Sequence, residues 1–200
     1  MDAKKTAFIA MMSALGTALS LMSLNMGPIQ VALPGQGAVA LDLSHIATFV
    51  AAIFGGPYIG AAVGFLSGVY AGYHFGYVVG SLGMLSLIGI PIGKAMTGLL
   101  AGFLYKKLKV GSSGRSTLAI PATLLSYIPE SIYTIAYFLY IVTAVSGHAM
   151  EYMIPIVIPK GWIEIAIMSL LIAALAGNIG FNEFINRFLQ LPKPEAKKTA

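Results

Sequence analysis

The chain has 200 residues, of which 58% are hydrophobic and 10% are charged, and its mean hydropathy is +0.84. This composition excludes a soluble domain and predicts an all-α membrane protein, a single domain over residues 1–200 built as a bundle of six transmembrane helices. Cysteine is absent, which excludes disulfides, thiol catalysis and cysteine-ligated metals. The net charge of +5 is distributed as membrane topology requires, so we expect no nucleic-acid partner.

Six apolar segments follow one another along the chain. We expect spans at about 6–25, 40–55, 57–75, 80–105, 117–145 and 160–189. The strong turn signal Gly55-Gly56-Pro57 separates the second from the third. Because a crossing needs roughly 20 residues, the short second segment predicts a tilted helix or one that is partly buried in protein. A short, polar tail at 190–200 is expected to be disordered.

The first segment carries three alanines four residues apart, Ala10, Ala14 and Ala18. A helix returns to the same face every three to four residues, so these side chains form one flat stripe. Inside lipid, a stripe of small residues lets another helix come close. We therefore expect the first helix to dock onto another surface, a partner protein being one such surface.

The basic residues test the number of spans. Ten of the twelve Lys and Arg lie before the first span, between the fourth and fifth, or after the sixth. They are Lys4, Lys5, Lys106, Lys107, Lys109, Arg115, Arg187, Lys193, Lys197 and Lys198. A six-span arrangement puts all ten on one face, which the positive-inside rule assigns to the cytoplasm. The sequence thus predicts a multi-pass protein of the cell membrane with both termini cytoplasmic.

Three segments then face outward, Asn25–Leu41, Gly76–Ser81 and Ser146–Pro159. They contain few Lys or Arg but many Gly, Pro, Tyr and His. The first is long and turn-rich, and a loop this apolar packs onto the protein instead of floating in water. It is either a lid over an outward-facing pocket or a plain linker.

Charged side chains inside spans are expensive, so each one marks a candidate functional position. Lys94 and Glu130 lie near mid-depth of the fourth and fifth spans, where they either form a structural ion pair or anchor a polar group of a ligand. Asp42 and His45 share one face near the outer end of the second span, although Asp42 is also placed to cap that helix. Glu164 lies one turn into the sixth span.

Aromatic side chains cluster on the same outer side. Tyr133, Tyr137 and Tyr140 follow i, i+4, i+7 spacing on the fifth span, and Tyr73 with His74 marks the outer end of the third. A flat aromatic ligand can stack between such rings and bond to their hydroxyls. The alternative is the aromatic belt that membrane proteins place at the interface.

Motifs of other functional classes are missing from the sequence. There is no GxxxxGK[ST] phosphate loop, so we expect no ATP hydrolysis by this chain. Ser67 lacks the GxSG spacing of rhomboid-type proteases, and the sixth segment has no histidine to act as its base, so the chain is not expected to be an enzyme. His45, His74 and His148 are dispersed without metal-ligand spacing, so we expect no metal and no cofactor.

Taken together, these features resemble the substrate-binding S component of an energy-coupling factor (ECF) transporter. The resemblance covers nearly the whole chain and rests on the six spans, the alanine repeat and the long first outer loop. The stretch Leu41-Asp42-Leu43-Ser44-His45-Ile46 and the later Phe54-Gly55-Gly56-Pro57 are similar to the Asp-Leu-Ser and Gly-Pro segments of riboflavin-type members. Those members usually continue with Asp-Ile-Pro, where this chain has His45-Ile46-Ala47.

The resemblance implies a function and a set of partners. An S component captures a small water-soluble vitamin from outside, with riboflavin or a related aromatic vitamin as the first choice for this chain. It docks through the alanine stripe on a membrane coupling (T) protein that two cytoplasmic ATPases drive, and it topples within the bilayer to release its ligand inside. The expected substrate-binding residues are Asp42, His45, Tyr73, His74, Lys94, Glu130, Tyr133, Tyr137, Tyr140 and Glu164.

Two other classes of function remain open at this point. A stand-alone small secondary carrier or channel would use Lys94 and Glu130 as a proton or ion relay. An intramembrane enzyme would depend on Ser67. Transport by the purified chain without ATP or partners would favour the first alternative, and loss of an activity on Ser67→Ala would favour the second.

Overall fold

A computed structural model of the protein describes residues 3–25, 30–33, 37–79, 82–111, 115–147 and 150–189. The regular structure of these residues is helical, apart from one short hairpin of two strands. The tail predicted at 190–200 and the histidine His148 lie outside the described residues.

Nine α-helices follow one another in the described part of the chain. They are α1 (Ala3–Asn25), α2 (His45–Gly55), α3 (Pro57–Tyr73), α4 (Met84–Leu108), α5 (Ala119–Ser126), α6 (Ile128–Ala136), α7 (Thr143–Ser146), α8 (Ile154–Gly177) and α9 (Ile179–Leu189). Helix α3 continues as a π-helical turn, His74–Val78, and α6 as another, Tyr137–Val142. Short 3₁₀ turns, Ser116–Leu118 and Glu151–Met153, lead into α5 and α8.

Four helical stretches in the described residues are long and apolar enough to cross a membrane. They are Ala3–Asn25, Met84–Leu108, Ser116–Ser146 and Glu151–Gly177. Helix α2 is apolar too, but it has only 11 residues, fewer than the roughly 20 that a crossing needs. The prediction of a short second segment therefore agrees with the structure.

The first outer segment contains a hairpin that the all-α expectation left out. Strand β1 (Gln30–Leu33) pairs antiparallel with β2 (Gly37–Ala40), with Gln30 opposite Ala40. Pairing satisfies backbone N–H and C=O groups that an irregular apolar loop would leave without partners. The strands escaped sequence analysis because each has four residues and lies in a run rich in Gly, Pro and Ala, which have low strand propensity.

The sixth predicted segment differs from the structure at both ends. We expected an outer loop as far as Pro159, but α8 already contains Pro155 in its first turn, where a missing backbone N–H breaks no helical hydrogen bond. Helix α8 ends before Asn178, whose side-chain Oδ1 accepts the Phe181 N–H at 2.9 Å and so caps α9. The single span expected at 160–189 is therefore two helices.

A row of glycines on α3 brings α4 very close. These glycines recur every four residues and share one helix face: Gly60, Gly64, Gly68 and Gly72. A Cβ at Gly68 would lie 2.9 Å from Pro91 Cα of α4, and one at Gly72 would lie 2.7 Å from the Ser86 carbonyl oxygen. Only a bare backbone permits this approach, which fixes the position of α4 and of the polar residues that it carries.

The fifth stretch is broken in its middle. Helix α5 ends at Ser126, Tyr127 intervenes, and α6 begins with Pro129 in its first turn. The Ser131 N–H donates to the Tyr127 carbonyl at 3.0 Å and starts the new helix. Glu130 therefore lies in the first turn of α6, where the helix dipole favours a negative charge.

The largest buried apolar cluster lies where α1, α2, α4, α5 and α8 meet. Phe8, Phe49, Tyr105, Ile165 and Met168 are each less than 2% exposed within it. A second cluster forms around the π-helical turn after α6. These two clusters hold the helices whose polar residues face each other in the site described next.

Candidate functional site

A cavity of about 190 Å³ lies among the π-helical turn after α3, α4, α6, α8 and the residues just before α2. Seven of the ten predicted binding residues line it, and the charged ones among them are almost wholly buried. The seven are Asp42, His45, Lys94, Glu130, Tyr133, Tyr137 and Glu164. Residues from five separate parts of the chain thus converge on one space.

Lys94 of α4 pairs with Asp42 and not with Glu130. Its Nζ lies 2.5 Å from Asp42 Oδ2 and also donates to the Ser44 hydroxyl. The other oxygen, Asp42 Oδ1, accepts the Ser44 N–H at 3.0 Å. Asp42 therefore stabilises the turn ahead of α2. The N-cap residue of α2 is Ser44, and its side chain makes no capping hydrogen bond. The Lys94–Glu130 pair weighed from the sequence does not form.

Glu130 of α6 has a different set of partners. Its Oε2 accepts the Thr97 hydroxyl at 2.5 Å and lies 3.2 Å from His45 Nε2. The residue is only 8% exposed. A histidine is thus the ionisable partner of this carboxylate, where Asp42 has a lysine.

Glu164 of α8 is the third carboxylate that lines the cavity. Its Oε1 accepts the Lys160 ammonium at 2.8 Å, one helical turn earlier, and the Asp42 backbone N–H at 2.5 Å. The same ammonium lies 5.5 Å from the centre of the Phe75 ring, within range of a cation–π interaction.

The four residues 42–45 connect both lysine–carboxylate ion pairs and the His45–Glu130 contact. The side chain of Asp42 holds Lys94, its backbone N–H holds Glu164, and His45 holds Glu130. Buried charges in an apolar surrounding are stabilised by ion pairs and hydrogen bonds. Both lysines have a carboxylate partner, and Glu130 is hydrogen-bonded to Thr97 and His45. Because these contacts hold the carboxylates in place, the network can present them to a polar ligand without rearranging.

An aromatic wall faces this network. The rings of Tyr133 and Tyr137 lie 5.6 Å apart, and Phe138 packs edge-on to Tyr137 at 5.9 Å. The hydroxyls of Tyr137 and Ser86 are buried at the cavity and have no hydrogen-bond partner among the described residues. Buried polar atoms are normally hydrogen-bonded, so these two hydroxyls are candidate contacts for a bound ligand.

Three of the predicted binding residues do not line the cavity. Tyr140 is 70% exposed, because the chain changes to a π-helical turn at Tyr137 and later side chains rotate off the α-helical face. Tyr73 is 49% exposed. His74 packs edge-on to the ring of Phe75 at 5.4 Å and is not among the lining residues.

Sequence reasoning missed other residues of the site, among them Phe75, Ser86, Thr97, Tyr127 and Lys160. Lys160 carried a usable signal, since it is one of two Lys or Arg outside the three basic groups. Ser86 and Thr97 are small and uncharged, so nothing in the sequence distinguished them from helix-packing residues.

The predicted alanine stripe lies at the surface. Ala10, Ala14 and Ala18 are exposed, whereas the opposite face of α1 packs on α3. There Gly16 fits against the fully buried Ser67, and a Cβ at Gly16 would lie 2.6 Å from the Ser67 Cβ. Ser67 is therefore a helix-packing residue, and the alanine face of α1 is not covered by the described part of the chain.

Apolar helices of membrane-spanning length around a largely apolar cavity that also contains buried ion pairs define an integral membrane protein with an internal cavity. The chain belongs to the substrate-specific components of ECF transporters, since the family model described as "ECF transporter, substrate-specific component" matches residues 4–176. The resemblance noted from the sequence is thereby confirmed, and the family is one of transporter subunits, not of enzymes. Comparison with curated proteins finds no match.

Proposed function

We propose that this protein captures a small water-soluble vitamin from outside the cell, and that the cavity is its binding site. The observation that carries the proposal is the meeting of two buried ion pairs, a buried His45–Glu130 contact and an aromatic wall at one cavity, in a chain of the substrate-specific family. The seven lining residues form the proposed binding set. Tyr73, His74 and Tyr140 stand outside it.

The size of the cavity argues for a ligand with a single ring. An apolar cavity of about 150 Å³ is known to hold one benzene ring, and this one measures about 190 Å³. Riboflavin has three fused rings and a sugar-alcohol chain, which need far more room. Among aromatic vitamins and their precursors, we therefore favour those with one ring over riboflavin.

The remaining steps follow the family. We propose six crossings with both termini cytoplasmic, docking of the exposed alanine face of α1 on a membrane coupling protein, and energy from two cytoplasmic ATPases. Two features support this part, namely the exposure of all three alanines and the absence of a phosphate loop from the sequence.

The proposal is tested by thermal denaturation of the purified chain in detergent with a panel of vitamins and their precursors. A compound that binds only the folded protein stabilises it by about 2.7 kcal/mol at one hundred times its Kd, so one compound should raise the Tm in a concentration-dependent way. Failure of every compound, together with uptake by the purified chain alone in liposomes, would contradict the proposal and favour a stand-alone carrier.

A further inference from the structure

Resting on the proposed function of this cavity, we propose that its ligand is a planar, single-ring aromatic cation. The ligand's positive charge is shared over N–H groups, as in an amidine or an amino-substituted nitrogen ring. Glu130 is the carboxylate that selects this charge, and Glu164 is its second acceptor. Three independent features of the cavity lead to this class of ligand.

The first feature is the balance of charge around the cavity. Three carboxylates line it, those of Asp42, Glu130 and Glu164, together with two lysines. Lys94 is neutralised by Asp42 and Lys160 by Glu164. Among the described residues, His45 is the only ion-pairing partner of Glu130. The net charge of the cavity therefore depends on whether His45 is protonated.

The hydrogen bonds of His45 indicate that its ring is neutral. A carboxylate only accepts, so His45 Nε2 donates to Glu130. His45 Nδ1 is buried and has no partner among the described residues. A doubly protonated ring would leave a buried N–H donor unpaired, which is unfavourable. With a neutral His45 the cavity carries one negative charge in excess, that of Glu130.

The second feature is a surplus of hydrogen-bond acceptors. Both contacts of Glu130 described above involve Oε2, and both bonds of Glu164 go to Oε1. Their second oxygens, Glu130 Oε1 and Glu164 Oε2, are therefore the atoms we assign to the ligand. The partnerless His45 Nδ1 is a further acceptor, and the hydroxyls of Tyr137 and Ser86 can accept as well. A ligand rich in N–H groups satisfies these atoms, whereas an anion would meet repulsion.

The third feature is the aromatic wall. Tyr133, Tyr137 and Phe75 line the same space as Glu130. A cation stacked on such rings gains cation–π stabilisation, which is largest where water is excluded. The cavity volume of about 190 Å³ matches one ring with short substituents.

Three probes of equal shape and different charge test this inference, namely benzamidine, benzamide and benzoate. In thermal denaturation of the full chain in detergent, benzamidine should raise the Tm at millimolar concentration. Benzamide should bind at least about tenfold more weakly, because it lacks the charge-assisted hydrogen bonds, and benzoate should not bind. Binding of benzoate, equal binding of the three probes, or binding of none of them would overturn the inference.

Glu130→Gln keeps the shape of the side chain and removes its charge, so it should abolish the preference for benzamidine over benzamide. Glu183→Gln is the matched control, since Glu183 is an exposed carboxylate of α9 and its loss should leave the preference intact. A preference that persists in Glu130→Gln would contradict the role of that residue. A neutral or anionic vitamin that stabilises the wild type would refute the charge inference and leave the proposed function standing.

Discussion

At the wall of the cavity, Lys94 places an ammonium group inside a largely apolar bundle with only 3% of the residue exposed. An unpaired charge there would be very unfavourable, so its environment depends on Asp42 and on the Ser44 hydroxyl. The same carboxylate needs the lysine in return. The two side chains are therefore a single structural unit, and removing one of them should harm the protein more than removing both.

We expect Lys94→Met to lower the free energy of unfolding by about 3–5 kcal/mol, because it leaves the Asp42 carboxylate buried and unpaired. The double variant Lys94→Met/Asp42→Asn should recover part of this loss. Lys107→Met is the control, since Lys107 is exposed at the end of α4, and it should change stability by less than about 0.5 kcal/mol. Denaturation in mixed detergent measures all three, and a double variant no more stable than the single one would contradict the pairing.

Tyr137 and Tyr140 form a matched pair of tyrosines three residues apart. Tyr137 lines the cavity, whereas Tyr140 is 70% exposed. Tyr137→Ala should weaken ligand binding by about 1–3 kcal/mol, since an aromatic contact and its buried area are lost. Tyr140→Ala should leave the Kd unchanged. Isothermal titration with the compound found in the vitamin panel measures both, and an unchanged Kd for Tyr137→Ala would mean that its ring does not contact the ligand.

The sequence identified the charged residues within apolar segments, but it did not determine which of them pair. Lys94, Glu130, Asp42 and Glu164 stood out because a charge in an apolar segment needs a reason. Their partners depend on the rotation and depth of each helix, which hydropathy does not determine. Lys94 therefore had Glu130 as its apparent partner in the sequence, while in the structure it reaches Asp42 in the turn ahead of α2.

At the scale of elements, the contact between α3 and α4 rests on the glycine row. Gly64 faces the Lys94 carbonyl so closely that an added methyl group must push the helices apart. We expect Gly64→Ala to destabilise the protein by about 1–3 kcal/mol through overpacking. At the exposed Gly180 of α9 the nearest atom to an added Cβ is 3.5 Å away, so Gly180→Ala should be neutral or slightly stabilising.

Thermal denaturation in detergent compares these two glycine variants. Because Gly64 lies against the backbone that carries Lys94, Gly64→Ala should also weaken ligand binding, whereas Gly180→Ala should not. Equal stability of the two variants would mean that the helices can separate without cost, and that the glycine row does not hold the cavity in place.

The outer face of α1 is the second element with a testable role. Ala14→Trp adds a large ring to the middle of the exposed stripe, far from the cavity residues in sequence and in contacts. We expect it to abolish uptake in vesicles that contain the coupling protein and both ATPases, and to leave ligand binding by the purified chain intact. Ala174→Trp, on the exposed side of α8, is the control and should support uptake. Uptake that survives Ala14→Trp would exclude the stripe as the docking surface.

The presence of the helices could be predicted from the length of the apolar segments. Local departures from α-helical geometry could not. The turn at Gly55-Gly56-Pro57 is present because Gly56 has a φ of 82°, which favours glycine. The π-helical turn that begins at Tyr137 leaves no trace in hydropathy, yet it decides that Tyr140 leaves the face of Tyr133. Breaks at Tyr127 and Asn178 likewise depend on local hydrogen bonds that apolar windows average away.

For the whole molecule, the distribution of charge and the position of the cavity both bear on how the chain crosses the membrane. Most of the basic residues lie at connections that a six-crossing arrangement puts on one face. The cavity lining includes Phe75, Leu82 and Met153, which adjoin connections assigned to the other face. In the proposed six-crossing arrangement, a ligand would enter from outside and the partners would meet a basic face inside. The six-crossing arrangement also assigns each connection to one side of the membrane.

The natural absence of cysteine makes this topology directly measurable. Single substitutions Ala3→Cys, Lys107→Cys and Glu183→Cys should resist a membrane-impermeant maleimide in intact cells and react after permeabilisation. Glu151→Cys, in the connection between α7 and α8, should react in intact cells, because the positive-inside rule leaves that connection outside. The wild type, which has no thiol, is the control for background labelling. Labelling of Lys107→Cys and Glu151→Cys from the same side would rule out an odd number of crossings between them and with it the six-crossing arrangement.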